Sequence, residues 1–137
     1  MDYRVSLAAD IAEISRLLDW VETCCGEAGV TGDAAFKLAL VLEEAVANVI
    51  HHAFADMPPP YRIAVELAID ADRVCALVID NGRAFDPSIA PDANTDLPLE
   101  QRDPGGLGIR LIRRMMDRVA YHRVAGENRL RMEKMRT

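Results

Sequence analysis

From Thr31 to about Phe54 the chain spells a long helix whose apolar residues do not keep to one side. Phe36, Leu38, Leu40, Val41, Leu42, Val46, Val49 and Ile50 spread around the axis, so the helix must be buried between other elements. Met57-Pro58-Pro59-Pro60 ends it, because successive prolines cannot continue a helix. Within this apolar surface stand Glu44 and Asn48, four residues apart and therefore stacked on one face, which continues to His52. A carboxylate over a carboxamide on a buried helix is unfavourable unless something uses both groups. By itself the pair also fits a polar stripe facing solvent. The adjacent His51 and His52 lack a third ligand at metal spacing, and packing or surface roles account for them equally.

The flanking segments supply the other layer. Arg4 to Ala8 alternates as a short first strand. Asp10 reads as an N-cap with Glu13 in the capping-box position, Ile11 to Cys25 follow at helical spacing, and Gly29 is the stop. Thr31 is the next N-cap. Ile63 to Ile69 alternates as a half-buried strand, Asp70-Ala71-Asp72 turns, and Val74 to Ile79 is an apolar strand for the middle of a sheet. Residues 81–106 form a long polar loop rich in Pro, Asp and Gly, a length usually tied to function. A helix starts at Leu107. Val119 to Val124 and Arg129 to Met135 form a last hairpin, turning at Gly126-Glu127-Asn128. The order β-α-α-β-β-α-β-β, with helices segregated from an antiparallel or mixed sheet, predicts an α+β two-layer sandwich. No linker or repeat divides the chain, so residues 1–137 are read as one domain.

Charge narrows the partners. The net charge is −6, yet residues 110–137 carry nine Lys/Arg against three acids, so the remainder holds −12. An acidic chain with only 5% aromatic residues does not fit a nucleic-acid binder. The basic end is a solvated face, a surface for an acidic protein, or a field that draws in a polyphosphate. No apolar run is long enough to span a membrane, and Met1-Asp2-Tyr3-Arg4 lacks the blocks of a signal peptide. Cys24, Cys25 and Cys75 have no metal spacing and read as reduced, packed thiols. The expected location is the cytoplasm.

Two further segments bear on chemistry. Asp80-Asn81-Gly82 directly follows the apolar strand, so the carboxylate of Asp80 emerges at the sheet end near the core. There it can accept from an exocyclic amine, which selects adenine over guanine. The alternative is a type I′ turn at Asn81-Gly82, disfavoured because residues 83–87 do not continue as a strand. Gly105-Gly106-Leu107-Gly108 opens a helix, where close backbone approach and free N–H groups suit phosphate. Glycines before a helix are also common without any ligand. No Gly-Lys-Ser/Thr follows, so this is not a P-loop.

Together these segments resemble the GHKL (Bergerat-fold) ATP-binding domains, and among them the serine/threonine kinases that act as anti-sigma factors. Glu44-Ala-Val-Ala-Asn48-Val-Ile-His-His52 resembles the N box, and Asp80-Asn-Gly82-Arg-Ala84-Phe-Asp-Pro87 the first glycine motif. Gly105-Gly-Leu-Gly-Ile-Arg-Leu-Ile-Arg-Arg-Met-Met-Asp117 resembles the second, and Gly126 to Lys134 the final hairpin. The resemblance covers nearly the whole chain and implies a Bergerat fold, ATP and Mg²⁺. It implies that Asn48 holds the metal, Glu44 acts as general base and Asp80 binds the adenine amine. Gly82 would let the chain pass close to the base, and His52 and Ala84 belong to the matching motifs. Gly105, Gly106, Leu107 and Gly108 would cradle phosphates, with a lid from about Asp86 to Pro104 and Arg102 as a candidate for the γ-phosphate. Two departures stand out: Ala84 replaces a frequent second glycine, and Arg131 takes the place of a threonine near the base.

The implied activity is ATP-dependent phosphorylation of a serine or threonine on a STAS-type anti-anti-sigma protein, with a sigma factor as a further partner. An ATP-dependent partner-switching module with little or no transfer is the alternative, which Ala84 and Arg131 keep open. A homodimer through residues 3–28 is also expected from the resemblance.

Overall fold

The computed structural model describes residues 1–86 and 104–136, with 104–109 as backbone. Strand β1 spans Asp2–Leu7, helix α1 Ile14–Ala28, helix α2 Gly32–Asn48, strand β2 Ile63–Ile69 and strand β3 Arg73–Asp80. Helix α3 covers Pro104–Met115, strand β4 Arg118–Val124 and strand β5 Glu127–Met135. A 3-10 turn at Ile11–Glu13 precedes α1, and a π-helical turn at Val49–Ala53 extends α2. This is the expected α+β arrangement and element order.

The strands form one antiparallel sheet in the order β1-β2-β3-β5-β4. Its register separates two faces. Val5, Val65, Val78, Leu130 and Tyr121 form one cross-strand row and pack into or against the core. One residue along, Arg4, Glu66, Leu77, Arg131 and Ala120 form the opposite row, exposed or half-buried. Alternate residues leave a strand on opposite sides, so the polar phase of each strand selects the open face. The helices cover the other face. Leu17 and Val21 of α1, Leu38, Val41, Leu42 and Val46 of α2, and Ile112 of α3 join Val65, Leu67, Val74 and Met132 in the core. Helix α2 lies between α1 and α3 and also reaches β3 and β5, which explains its apolar residues on several sides. Cys24 and Cys25 are buried in this core, and burial raises both thiols, Cys24 to about 11.

Local signals account for most boundaries. Asp10 caps the 3-10 turn by accepting from the Ala12 N–H, and Glu13 reaches back to accept from Ala8 N–H. Gly29 adopts φ 73°, and the Val30 N–H donates to the Cys25 carbonyl, closing α1. Thr31 stands at the N-cap of α2, but its hydroxyl makes no capping bond.

Strand β1 runs Asp2–Leu7 rather than Arg4 to Ala8, and the helix expected to reach about Phe54 passes into the π-helical turn after Asn48; two further differences bear on the site. Helix α3 begins at Pro104 rather than Leu107, because proline suits the first helical turn and takes Gly105 and Gly106 into the helix. The last hairpin turns at Ala125-Gly126, with φ 51° and 78°, so Asn128 belongs to strand β5 rather than to the turn. A left-handed alanine is unfavourable in isolation, and its sequence therefore gives little warning of the turn. No helix among the described residues is long and apolar enough to cross a membrane.

Candidate functional site

Asp80 is the last residue of β3, paired with Ile63 on β2 and Asn128 on β5. Its side chain is buried. The Oδ1 atom accepts from the Gly82 N–H at 2.8 Å and from Asn128 Nδ2 at 2.9 Å. Both bonds fall on one oxygen, which leaves Oδ2 as an acceptor. Desolvation raises the carboxyl above its ordinary value, against the lowering effects of Asn128, the Gly82 amide and Arg123.

The turn after Asp80 does not form a hairpin. Asn81 ties it to the segment before β2: its Oδ1 accepts from Arg62 N–H at 2.7 Å, and its Nδ2 donates to the Pro60 carbonyl at 2.9 Å. Gly82 then passes against the π-helical turn. A Cβ there would lie 2.6 Å from the Ala53 carbonyl oxygen, far inside contact distance. Glycine at 82 thus has a packing reason within the fold, besides the approach to a base that the resemblance implies. The Arg83 N–H donates to the same Ala53 carbonyl at 2.9 Å. Ala84 is exposed and is not among the described non-glycine residues with positive φ, which are Asp56 and Ala125. Its backbone therefore asks for no glycine.

Helix α2 contributes the second half. Asn48 is its last α-helical residue and is buried, and its Nδ2 has no hydrogen-bond partner among the described residues. Glu44 lies one turn earlier and is half-buried. Desolvation, and then the neighbouring Glu43, raise its carboxyl above the usual value. The π-helical turn begins immediately after Asn48, a distortion that recurs at functional sites. It widens the helix, leaving His51 exposed and His52 half-buried. The His52 ring stacks on Phe85 with centroids 5.2 Å apart and planes 15° from parallel. Residue 52 is thereby joined to the segment that follows Asp80.

The buried polar side chains of the described structure are Asn48, Asp80 and Asn128. Asn128 has no role in the sequence reading, which places it in a turn. The alternation of β5 exposes that error: Met132, Leu130 and Asn128 share the inward face. Arg131 lies in the opposite phase, pairs with Leu77, and directs a guanidinium nitrogen to Cys75 Sγ. The position beside Asp80 therefore belongs to Asn128 and not to Arg131.

Helix α3 packs on α2 and β4. Its first N–H groups have no intrahelical acceptors, and Gly105, Gly106, Leu107 and Gly108 lie in its opening turns. Residues 87–103 lie outside the described residues, and with them most of the expected lid and Arg102.

The site residues are a buried carboxylate with one available oxygen, a carboxamide whose nitrogen has no partner among the described residues, and a carboxyl of raised pKa. Side-chain amide ends are assigned from their partners, and Asn48 carries one oxygen acceptor and two N–H donors. The orphaned Asn48 Nδ2 is a donor and would be completed by an acceptor such as a phosphate oxygen, while the oxygen of the same amide is the end that suits a hard cation such as Mg²⁺.

Comparison with known proteins bears on the family and the fold. Residues 7–134 match the model of the histidine kinase-like ATPase domain. The chain is 36% identical over 97 residues to the serine/threonine-protein kinase BtrW of Bordetella bronchiseptica, covering 69% of this chain and 66% of that relative, just under two thirds of its length. It is 28% identical over 134 residues to the serine-protein kinase RsbW of Staphylococcus aureus, covering 92% of this chain and 80% of that protein. Among solved structures, the RsbU and RsbW domains of a Mycobacterium tuberculosis protein superpose with a TM-score of 0.69 at 16% identity, over 98% of this chain and 32% of that one. The histidine kinase domain of a blue-light activated kinase from Erythrobacter litoralis gives 0.56 at 16%, over 93% and 64%. These two likenesses bear on the fold alone. With Asp80 closing the central strand, Asn48 ending the buried helix and the glycines opening α3, the chain belongs to the histidine kinase-like ATPase domain family.

Proposed function

We propose that this chain is an ATP-dependent serine/threonine protein kinase that modifies a small STAS-type regulatory protein and holds a sigma factor as its other partner. The observation that carries this reading is the placement of the buried polar side chains. Asn48, Asp80 and Asn128 interrupt an otherwise apolar core, and the amide of Asn48 lacks a partner among the described residues. A buried polar group without a partner costs about 1–3 kcal/mol, and a bound nucleotide would offset that penalty. The names of the BtrW and RsbW relatives support the reaction type, and the family resemblance supports the class of target.

Asp80 would accept from the adenine amino group through Oδ2. Asn48 would hold Mg²⁺ through its amide oxygen, and the first N–H groups of α3 would meet phosphate oxygens. The metal, when bound, would neutralise charge on the phosphates. Glu44 would take the proton of the target hydroxyl as its oxygen bonds to the γ-phosphorus; the bond from that phosphorus to the bridging oxygen breaks, and ADP departs. A desolvated carboxyl of raised pKa is a stronger base than an exposed one, which suits this work.

The departures that keep a non-transferring switch open lose their force here. Ala84 adopts an ordinary backbone and Arg131 lies on the open sheet face. Incubation of the chain with Mg-ATP and a STAS partner, followed by mass spectrometry, should find phosphoserine or phosphothreonine on the partner. Nucleotide binding without any phosphate transfer would leave the switch and remove the kinase.

A further inference from the structure

Asn128 is tied on every polar atom of its side chain. Its Nδ2 donates to Asp80 Oδ1 at 2.9 Å and to the Arg83 carbonyl at 2.7 Å. Its Oδ1 accepts from Arg123 Nη1 at 2.9 Å and from the Tyr121 hydroxyl. A guanidinium can only donate, while a carboxylate and a backbone carbonyl only accept, so these partners leave the amide a single orientation. Arg123 Nη1 also donates to the Gly82 carbonyl at 3.0 Å. The carbonyls of Gly82 and Arg83 and the carboxylate of Asp80 are thus all fastened to the β4–β5 hairpin.

We infer that Asn128, clamped by Tyr121 and Arg123, is the positioning residue that fixes the orientation of the Asp80 carboxylate and so the direction of its free oxygen, and through it how sharply the site separates a 6-aminopurine from a 6-oxopurine nucleotide. This rests on the reading that Asp80 receives the base. With Oδ1 committed to two donors, the carboxylate cannot turn, and Oδ2 stays aimed as an acceptor. A 6-oxo group there would bring a second acceptor against it. If Asp80 could rotate or exchange its partners, it could relax from that clash, and discrimination would fall. A threonine offers a single hydroxyl and could not hold Asp80, Arg83, Arg123 and Tyr121 at once. The asparagine is therefore a device of its own kind in this chain.

The discriminating variant is Asn128→Asp, which keeps the shape and the acceptors for Tyr121 and Arg123 but removes both donors. Two facing carboxyls then share a proton. The charged groups acting on Asp80 are Arg123 from β4 and Glu127 from β5. Its β2 partner Ile63 is apolar, as is Ala53, which packs against Gly82. Binding of ATP and of ITP to the full chain is measured by calorimetry for wild type, Asn128→Asp, Tyr121→Phe and Asp80→Asn. Wild type should prefer ATP. Asn128→Asp should weaken ATP about 10- to 100-fold at pH 8 with little change for ITP, and part of the loss should return at pH 6 as the shared proton restores a donor. Tyr121→Phe should lower the ATP/ITP ratio by about 2- to 5-fold. An unchanged ratio in Asn128→Asp, or an equal loss of both nucleotides, overturns the inference while the kinase reading stands. Should that variant fail to fold, an unchanged ratio in Tyr121→Phe overturns it alone. A wild type without preference for ATP, or an Asp80→Asn variant that binds like wild type, removes the assignment of the base to Asp80 and the inference with it.

Discussion

The two halves of the site are built on opposite terms. On the sheet side, Asp80 and Asn128 are buried and held by hydrogen bonds from Gly82, Tyr121 and Arg123. On the helix side, Asn48 is buried with its amide nitrogen unpartnered among the described residues, and Glu44 is raised by burial and by Glu43. The difference teaches where each half obtains its order. On the proposed reading, Asp80 discriminates a base, and such a carboxylate has to be rigid before the ligand arrives, since preorganised groups need no rearrangement on binding. On the same reading, the helix side meets metal and phosphate and can remain unsatisfied until they come, so that it would contribute to affinity rather than to stability.

The comparison can be broken most forcefully at Glu44. Glu44→Ala should slow phosphate transfer about 10²- to 10⁴-fold in a radiolabel assay while ATP affinity stays within about 3-fold. Equal loss of binding and transfer would make Glu44 structural and erase the division between the halves. Asp80→Asn comes next. It should weaken ATP about 10- to 100-fold by calorimetry with the fold retained, since an amide cannot offer the same acceptors to Gly82, Asn128 and the base; wild-type affinity would deprive the sheet side of its role.

Gly82→Ala tests the seam between the halves. The new Cβ would press on the Ala53 backbone, and denaturant unfolding should show a loss of about 1–3 kcal/mol. Unchanged stability would mean that the seam yields freely. Asn48→Leu sharpens the contrast from the other side. Removing an orphaned amide should leave the free protein as stable as wild type or raise it by about 1 kcal/mol, while abolishing the thermal shift on adding Mg-ATP. A strongly destabilised free protein would show that Asn48 is structural.

The smallest effect concerns acid. Glu13, bonded by Arg16 and by the Ala8 N–H, is lowered from 4.5 to about 2. Its contribution is present above pH 4.5 and is lost as pH falls towards 2, so Glu13→Gln should flatten the acid side of the stability curve. Glu44 and Asp80 have the opposite sign, because their carboxyls are raised. Their effect favours the folded state below the ordinary carboxyl value and is lost as pH rises through the folded one, so Asp80→Asn should flatten the alkaline side of that same transition. A single shared acid profile for these variants would contradict the difference between a structural carboxylate and the site's.

Periodicity made most of the fold legible. Alternation in Ile63–Ile69, the apolar run before Asp80 and the many-sided apolar helix from Thr31 to about Phe54 all reflect local geometry, and each has its element, the last of them divided into α2 and the π-helical turn. The π-helical turn was invisible, because Val49 to Ala53 has no composition that separates a π turn from an α turn. Gly82 was conspicuous for its type, but its closest contact, Ala53, lies far from it along the chain. Asn128 follows a turn whose left-handed alanine carries no turn signal, so the sequence does not show that it begins the strand's inward face. The resemblance places Arg131 near the base, whereas it pairs with Leu77 on the opposite face of β5, three residues on from Asn128.

The amino-acid order by itself determined the helix and strand periods, the two faces of the sheet, and the candidate groups Glu44, Asn48 and Asp80, because propensity and burial pattern act over a few neighbouring residues. Only the tertiary structure decided that Asn128 stands against Asp80, that Tyr121 and Arg123 hold it there, and that Phe85 lies on His52. Those contacts follow from strand register and chain crossing, which bring distant residues within hydrogen-bond range and which no local pattern encodes.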